Sequence, residues 1–350
     1  MVSARRPSLL VTMGDPAGVG PEIVVRALAL PALRRVARLA VVGDAEILDR
    51  AAAKSRVRLR FRPVPAERYD PDDEPAQGIP LIASSSDGFD AIEPRIPSPA
   101  SGRAAARAIQ IAAGLALAGR ADGIVTAPIS KTALQAAGYP YPGHTEFLGA
   151  LTGAPETKML FVGGPYRILL ATVHLPLRAV PDALAVAPLR RTIEFAAAAL
   201  RNFKWGARRA VSVLGLNPHA GEGGLFGDEE DRVIRPAIAA ARSSGIAAEG
   251  PFPADTFFAQ NAGRKDLGVV VAMYHDQGLI AAKRDGIGGA ANVTLGLPFV
   301  RSSVDHGTAF DRAWRGGARA PDPAGIATAV RVGADLTLRS GRRPLEWTWP

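Results

Sequence analysis

The chain contains no cysteine at all, which excludes a disulfide framework, a thiolate metal site and a thiol nucleophile. Any metal it binds must be held by nitrogen and oxygen ligands. Aromatic residues are scarce at 6%, and no uninterrupted apolar stretch approaches the roughly 20 residues that cross a bilayer. The first apolar run, Leu9 to Met13, is far shorter than a secretory signal core, and no small-residue cleavage site follows it. These absences predict a cytoplasmic protein with no membrane partner. There is no internal repeat, and nothing resembles a flexible interdomain linker.

The formal charge of +9 raises the question of nucleic acid, because clustered lysine and arginine gain by releasing phosphate counterions. Here arginine far outnumbers lysine and is scattered along an alanine-rich chain, a pattern that also fits GC-rich coding. A basic surface that attracts small anionic substrates is the better reading, with no nucleic-acid partner.

What the chain does have is material for a large buried core: 350 residues, 47% of them hydrophobic, a length that suits two lobes. The runs Ser8 to Met13, Leu39 to Gly43, Gly123 to Thr126, Arg167 to Val173, Ala210 to Leu214 and Leu267 to Met273 show little polar alternation, as strands covered on both faces should. Helical stretches lie between several of them, the clearest being Gly102 to Ala118. The expectation is an α/β fold with mostly parallel sheets. Pro63 to Pro99 reads as an irregular excursion with one short strand at Ile79 to Ala83.

All five histidines lie in polar, glycine- or proline-punctuated segments at the ends of expected strands: His144, His174, His219, His275 and His306. In open α/β sheets the ligand crevice forms beyond the carboxyl ends of strands. His174, His219 and His275 each follow an apolar strand, so the fold could bring three imidazoles to one divalent cation with open positions for substrate. Their wide separation in sequence is no metal signature in itself. Asp276 and Asp255 stand nearby; each could take a proton or orient an imidazole, or serve only as a helix cap or surface charge. The turn Gly14 to Glu22 follows the first strand, with Pro21 suited to the start of a helix. Its glycines, at 14, 18 and 20, do not form the dinucleotide fingerprint. Lys283, Asn292 and Arg301 are groups that hold phosphate or carboxylate by charge-assisted bonds, or are simply solvated.

Seven blocks in order, GDPAGVGPE, VTAPISK, GHTEFL, NPHAGEGG, PADTFF, MYHDQG and NVTLGLPFVRSSVDHGTAFD, give the chain from about Leu9 to Asp322 a resemblance to the 4-hydroxythreonine-4-phosphate dehydrogenase (PdxA) family. That family shares the isocitrate and isopropylmalate dehydrogenase fold. The resemblance implies two α/β/α lobes with the active site in the cleft between them, 1–127 with 290–350 forming the lobe of the cofactor loop and 128–289 a central lobe of metal ligands and dimer interface. It implies that His174, His219 and His275 bind one divalent ion per subunit (zinc, magnesium or cobalt). By the same resemblance His144, Thr145, Lys283, Asn292 and Arg301 hold the phosphorylated substrate, and the loop of His306, Gly307, Thr308 and Asp311 wraps the adenosine part of NAD or NADP. A homodimer is implied, with one metal ligand supplied by the partner. Two departures stand out: Ser302 replaces a common threonine, and Arg312-Ala313-Trp314 replaces Ile-Ala-Gly after the cofactor loop.

The expected chemistry is oxidation of 4-(phosphooxy)-L-threonine at its secondary alcohol, with Asp276 first and Asp255 second as proton acceptor, followed by decarboxylation to 3-amino-2-oxopropyl phosphate. The rival readings are dehydrogenation of 4-phospho-threonate, 4-phospho-erythronate or a cis-dihydrodiol, a metal-dependent hydrolase or aldolase without nicotinamide, and a non-catalytic anion-binding protein.

Overall fold

A computed structural model describes residues 6–73, 77–84, 92–205, 210–264, 266–284, 286, 288–341 and 344–348. The chain forms two compact units: Met1–Thr157 with Leu297–Pro344, and Lys158–Gly296 with Leu345–Pro350. Its strands are β1 (Ser8–Thr12), β2 (Arg38–Gly43), β3 (Phe61–Pro63), β4 (Ile79–Ala83), β5 (Gly123–Thr126), β6 (Lys158–Gly163), β7 (Tyr166–Leu170), β8 (Val211–Leu214), β9 (Ala248–Phe252), β10 (Val270–Ala272), β11 (Ala290–Leu295) and β12 (Val300–Ser303).

In the first unit the strands run β3-β4-β2-β1-β5-β12 and every pair is parallel. β1, β5 and β12 are buried at each position, which is why they read in sequence as unbroken apolar runs. The expected strand at Ile79–Ala83 is β4; β3 beside it is short and ends in proline, as an edge strand tolerates. Segments 74–76 and 85–91 of the expected excursion lie outside the described residues.

In the second unit the order is β11-β6-β7-β10-β8-β9. β6 is antiparallel to both β11 and β7, while β7, β10, β8 and β9 are parallel neighbours. The helix Val186–Asn202 buries Leu189, Ile193, Ala196 and Leu200, one face at helical spacing. The C-terminal segment docks on this unit: Arg201 donates to Thr348 O at 2.8 Å and Trp347 stacks on Phe195 with centroids 6.0 Å apart. Among the described residues no helix is long and apolar enough to cross a membrane.

The unit boundary after Thr157 keeps residues 128–157 with the first unit, whereas the sequence expectation assigned them to the central lobe. The physical reason is the helix Pro99–Leu117, against which the helices Lys131–Ala136 and His144–Thr152 pack. Its small alanine side chains and Gly102 allow very close approach: a Cβ at Gly102 would lie 2.0 Å from the Ala133 carbonyl oxygen. A reciprocal capping box of Ser98 and Ser101 starts it. Ser101 Oγ also donates to Asp15 Oδ2 at 3.3 Å, and Ala17 N donates to Asp15 Oδ1 at 2.9 Å. Asp15, fully buried at the carboxyl end of β1, thus ties the opening turn to this helix.

Two predictions follow from this packing. Helix propensity favours Gly102→Ala by about 1 kcal/mol, but the clash with Ala133 should reverse the sign and cost about 1–3 kcal/mol; the urea midpoint decides between them. Burial raises the Asp15 pKa from the usual 3.8 to about 6, against the opposing bonds from Ala17, Ser101 and Ser130. The folded state therefore holds this proton more tightly than the unfolded state, so its contribution favours folding at low pH and is lost as pH rises from about 4 through 6. Asp15→Asn should gain on the order of 3 kcal/mol relative to wild type between pH 4 and pH 8, measured by chemical unfolding at both pH values; a constant difference would exclude this titration.

Candidate active site

Two small groups of candidate residues come together, one in each unit, and the others lie apart from them. In the first, β12 and β5 are parallel, with Arg301 opposite Ile124 and Ser303 opposite Thr126. Arg301 is only 2% exposed, and its Nε and Nη2 donate to Thr126 Oγ1 at 3.2 and 2.7 Å. Burial disfavours its charge and brings its pKa down to about 9, with Glu146 opposing the fall. Nearby, the helix His144–Thr152 begins after Gly143 with no side-chain cap, leaving its first amides without an intrahelical partner. His144 stands at that first turn. Its Nε2 is withdrawn from solvent and has no hydrogen-bond partner, and burial together with the Arg301 charge holds its pKa well below the ordinary histidine range. A neutral imidazole, a buried guanidinium and an uncapped helix start are donors suited to one oxyanion. Thr145 is buried on the same turn.

In the second unit, β7 and β10 are parallel neighbours, with Leu170 opposite Ala272. Their following loops emerge side by side and are joined by Thr172 Oγ1, which donates to Met273 O at 2.8 Å. This brings the rings of His174 and His275 to 6.1 Å between centroids. Asp276 Oδ1 lies 2.6 Å from His275 Nδ1, which favours the tautomer with Nε2 as the ligating atom. Gln277 braces the turn, accepting from Met273 N and donating to Gly215 O, both at 2.7 Å. His174 is solvent-exposed and takes a left-handed backbone at φ 53°.

His219 follows β8 in a run of left-handed residues: His219, Ala220, Gly221, Glu222 and Gly223, with φ between 45° and 82°. It lies beside Phe226, centroids 6.0 Å apart. Among the described residues no three histidine, aspartate or glutamate side chains of one chain form a metal-binding group. The donor chemistry of the His174 and His275 pair nonetheless fits a divalent cation that takes further ligands from elsewhere. Asp255 is exposed near the start of the helix Ala254–Gln260, with Thr256 Oγ1 3.4 Å from its Oδ1. Lys283 caps the end of the helix His275–Ala282 and Asn292 lies in β11 opposite Phe161; both are half-buried.

The expected cofactor loop belongs to the first unit. His306 Nδ1 lies 3.0 Å from Gly307 O, and Thr308 O accepts from Val19 N at 2.9 Å. Gly307 and Asp311 face solvent, and a Cβ at Gly307 would meet nothing within 4 Å. Ser302 lies behind it, its hydroxyl donating to Ala329 O at 2.8 Å.

Several supporting residues escaped the reading of the sequence. Thr126 lies in the VTAPISK block, but only the strand pairing shows that it holds Arg301. Glu230, 1% exposed, accepts from the backbone amides of Leu216 and Asn217 at 2.7 and 2.8 Å and from Asn217 Nδ2 at 2.9 Å. It thereby fixes the base of the His219 turn. Glu22 accepts from Trp314 N at 2.5 Å, linking the opening turn to the segment after the cofactor loop.

Comparison with known proteins bears on these groups. The family model described as pyridoxal phosphate biosynthetic protein PdxA matches residues 35–332. A 4-hydroxythreonine-4-phosphate dehydrogenase of Geobacter metallireducens is 45% identical over 338 residues, covering 96% of this chain and 97% of that protein. The crystal structure of a 4-hydroxythreonine-4-phosphate dehydrogenase from Klebsiella pneumoniae aligns with a TM-score of 0.85 at 38% identity, over 96% of this chain and 99% of that one. A terephthalate 1,2-cis-dihydrodiol dehydrogenase from Burkholderia xenovorans is more distant, with a TM-score of 0.61 and 31% identity over 95% and 98% of the two chains. With its motif blocks in order and near-complete coverage by such relatives, the chain belongs to the PdxA family of pyridoxal phosphate biosynthetic proteins.

Proposed function

We propose that this protein oxidises 4-(phosphooxy)-L-threonine at C3 with NAD or NADP, as the names of its relatives suggest. The product, 2-amino-3-oxo-4-(phosphooxy)butanoate, then loses carbon dioxide to give 3-amino-2-oxopropyl phosphate for pyridoxal 5'-phosphate synthesis. The observation that carries this reading is the oxyanion site of Arg301 and His144. The buried Arg301 guanidinium and the His144 Nε2, which has no hydrogen-bond partner, together offer a phosphate a positive charge and a donor in one place. A cis-dihydrodiol carries no phosphate, and a carboxylate brings only one negative charge to the same donors.

Arg301 and His144, with Thr145, Lys283 and Asn292, bind and orient the phosphorylated substrate. His174 and His275 of one subunit and His219 of its partner would hold a divalent cation, which when bound supplies Lewis-acid polarisation of the substrate hydroxyl. Asp276 keeps the His275 tautomer through Nδ1 and takes or relays the hydroxyl proton at its other oxygen; Asp255 is the second candidate. His306, Gly307, Thr308 and Asp311 would hold the adenosine part of NAD or NADP, which when bound would supply the acceptor for the C3 hydride. In the second step the C1–C2 bond breaks, its electrons move toward the C3 carbonyl, and C2 takes up a proton.

The shared site is supported by surface chemistry. In the second unit every exposed large apolar side chain among the described residues, Leu175, Leu177, Leu225, Phe226 and Ile280, lies within seven sequence positions of His174, His219 or His275. An apolar surface concentrated around ligating histidines suits burial against a second copy.

Three measurements test this reading. NADH formation from 4-(phosphooxy)-L-threonine but not from 4-phospho-threonate supports the amino substrate, and the reverse preference overturns it. Inorganic phosphate at a hundred times its Kd should stabilise the wild-type protein by about 2.7 kcal/mol and leave Arg301→Met unmoved; an equal response in both removes Arg301 from the anion site. Finally, His219→Ala and His275→Ala should each be inactive alone, yet a mixture refolded together should recover about a quarter of wild-type activity. Half of randomly paired dimers are mixed, and each mixed dimer holds one intact site. No recovery means that all three histidines act within one chain.

A further inference from the structure

The segment after β12 is pinned to the opening turn of the same unit at several points. Val19 N donates to Thr308 O at 2.9 Å, and a Cβ on Gly18 would stand 2.9 Å from that same oxygen. Arg95 N donates to Ala17 O at 2.8 Å while its Nε reaches Phe310 O at 3.3 Å. The last ties come from Trp314: its backbone N donates to Glu22 Oε2 at 2.5 Å, and its indole Nε1 donates to Pro16 O at 3.0 Å.

Trp314 is held against its own backbone preference. Its φ of 60° is left-handed, a region where a bulky side chain is strained and which glycine enters freely. The indole is nevertheless 8% exposed and the Glu22 carboxylate beneath it 0% exposed. Such a residue keeps that conformation only where surrounding contacts over-determine it, and the indole bond and ring burial are those contacts here. Its position matters because residues 306–311 end three residues before it, so Trp314 anchors the exit of the loop rather than its ligand-facing part.

We propose that Trp314 is a positioning residue for the dinucleotide: through Pro16 and Glu22 it clamps the 306–313 loop onto the Gly14–Glu22 turn and so sets dinucleotide affinity without entering hydride transfer. This rests on the reading that the loop receives the adenosine part of the cofactor.

The test uses the full-length protein with added divalent cation. Trp314→Phe keeps a smaller apolar ring and removes the indole donor; Trp314→Gly removes the ring and relieves the backbone. With saturating 4-(phosphooxy)-L-threonine, Trp314→Phe should raise the KM for NAD or NADP about 10-fold, the loss of one net hydrogen bond. Its kcat should stay within about twofold and the substrate KM should not change. Trp314→Gly should raise the dinucleotide KM at least as much. Hydrogen–deuterium exchange across 308–314 should quicken in both variants without any nucleotide present. Unchanged exchange overturns the clamp. Faster exchange with an unchanged dinucleotide KM overturns the assignment of affinity to it. If the wild type uses neither nucleotide, the proposed function fails, and the exchange measurement still decides the clamp by itself.

Discussion

A guanidinium taken out of water inside a parallel sheet must be satisfied by whatever the neighbouring strands present. Arg301 meets that demand through Thr126, one strand away and two residues beyond its register partner Ile124, on the same face. The pairing of β5 with β12 is therefore more than a way of closing the unit: it sets where a buried positive charge ends, beside His144 and the uncapped helix start. Desolvation disfavours both the Arg301 charge and the protonated form of His144. The result is one fixed cation and one neutral donor rather than two competing cations. That combination suits an anion that accepts hydrogen bonds.

Much of this could be read from the chain before any coordinates. The strands are buried on both faces, so their sequences are continuous apolar runs, and β1, β2, β5, β7, β8 and β10 each fall within or overlap an expected run. Polar residues just beyond those runs are candidate site residues by topology alone, which is how the histidines stood out. The antiparallel strand β6 was less legible because KMLFVG carries no mark of direction. The residues that brace the site were illegible for a different reason. Glu230 satisfies two amides 13 and 14 positions earlier, Thr126 meets Arg301 across 175 positions, and Glu22 meets Trp314 across 292. No local periodicity encodes pairings of that length; only the folded backbone brings them together.

The expected convergence of three imidazoles shows the same limit from the other side. Strand adjacency explains why His174 and His275 approach each other, since β7 and β10 are direct neighbours and Thr172 ties their loops. Adjacency of β8 to β10 would seem to promise His219 as well. The left-handed turn that carries His219, braced by Glu230 beneath it, does not deliver the ring into a three-ligand group of one chain. The ring and its apolar neighbours Leu225 and Phe226 lie on the exposed surface instead.

Backbone strain is distributed accordingly. Of the nine non-glycine residues with positive φ among those described, six are His174, His219, Ala220, Glu222, Ala309 and Trp314, all in or beside the segments assigned to metal and cofactor. Strain of about 1–3 kcal/mol per residue persists only where tertiary contacts enforce it. The enforcing contacts are identifiable in two of these segments: Glu230 under the His219 turn, and the Glu22 and Pro16 bonds to Trp314. Relaxing either turn would break these buried bonds, so the strain and the contacts that enforce it stand or fall together.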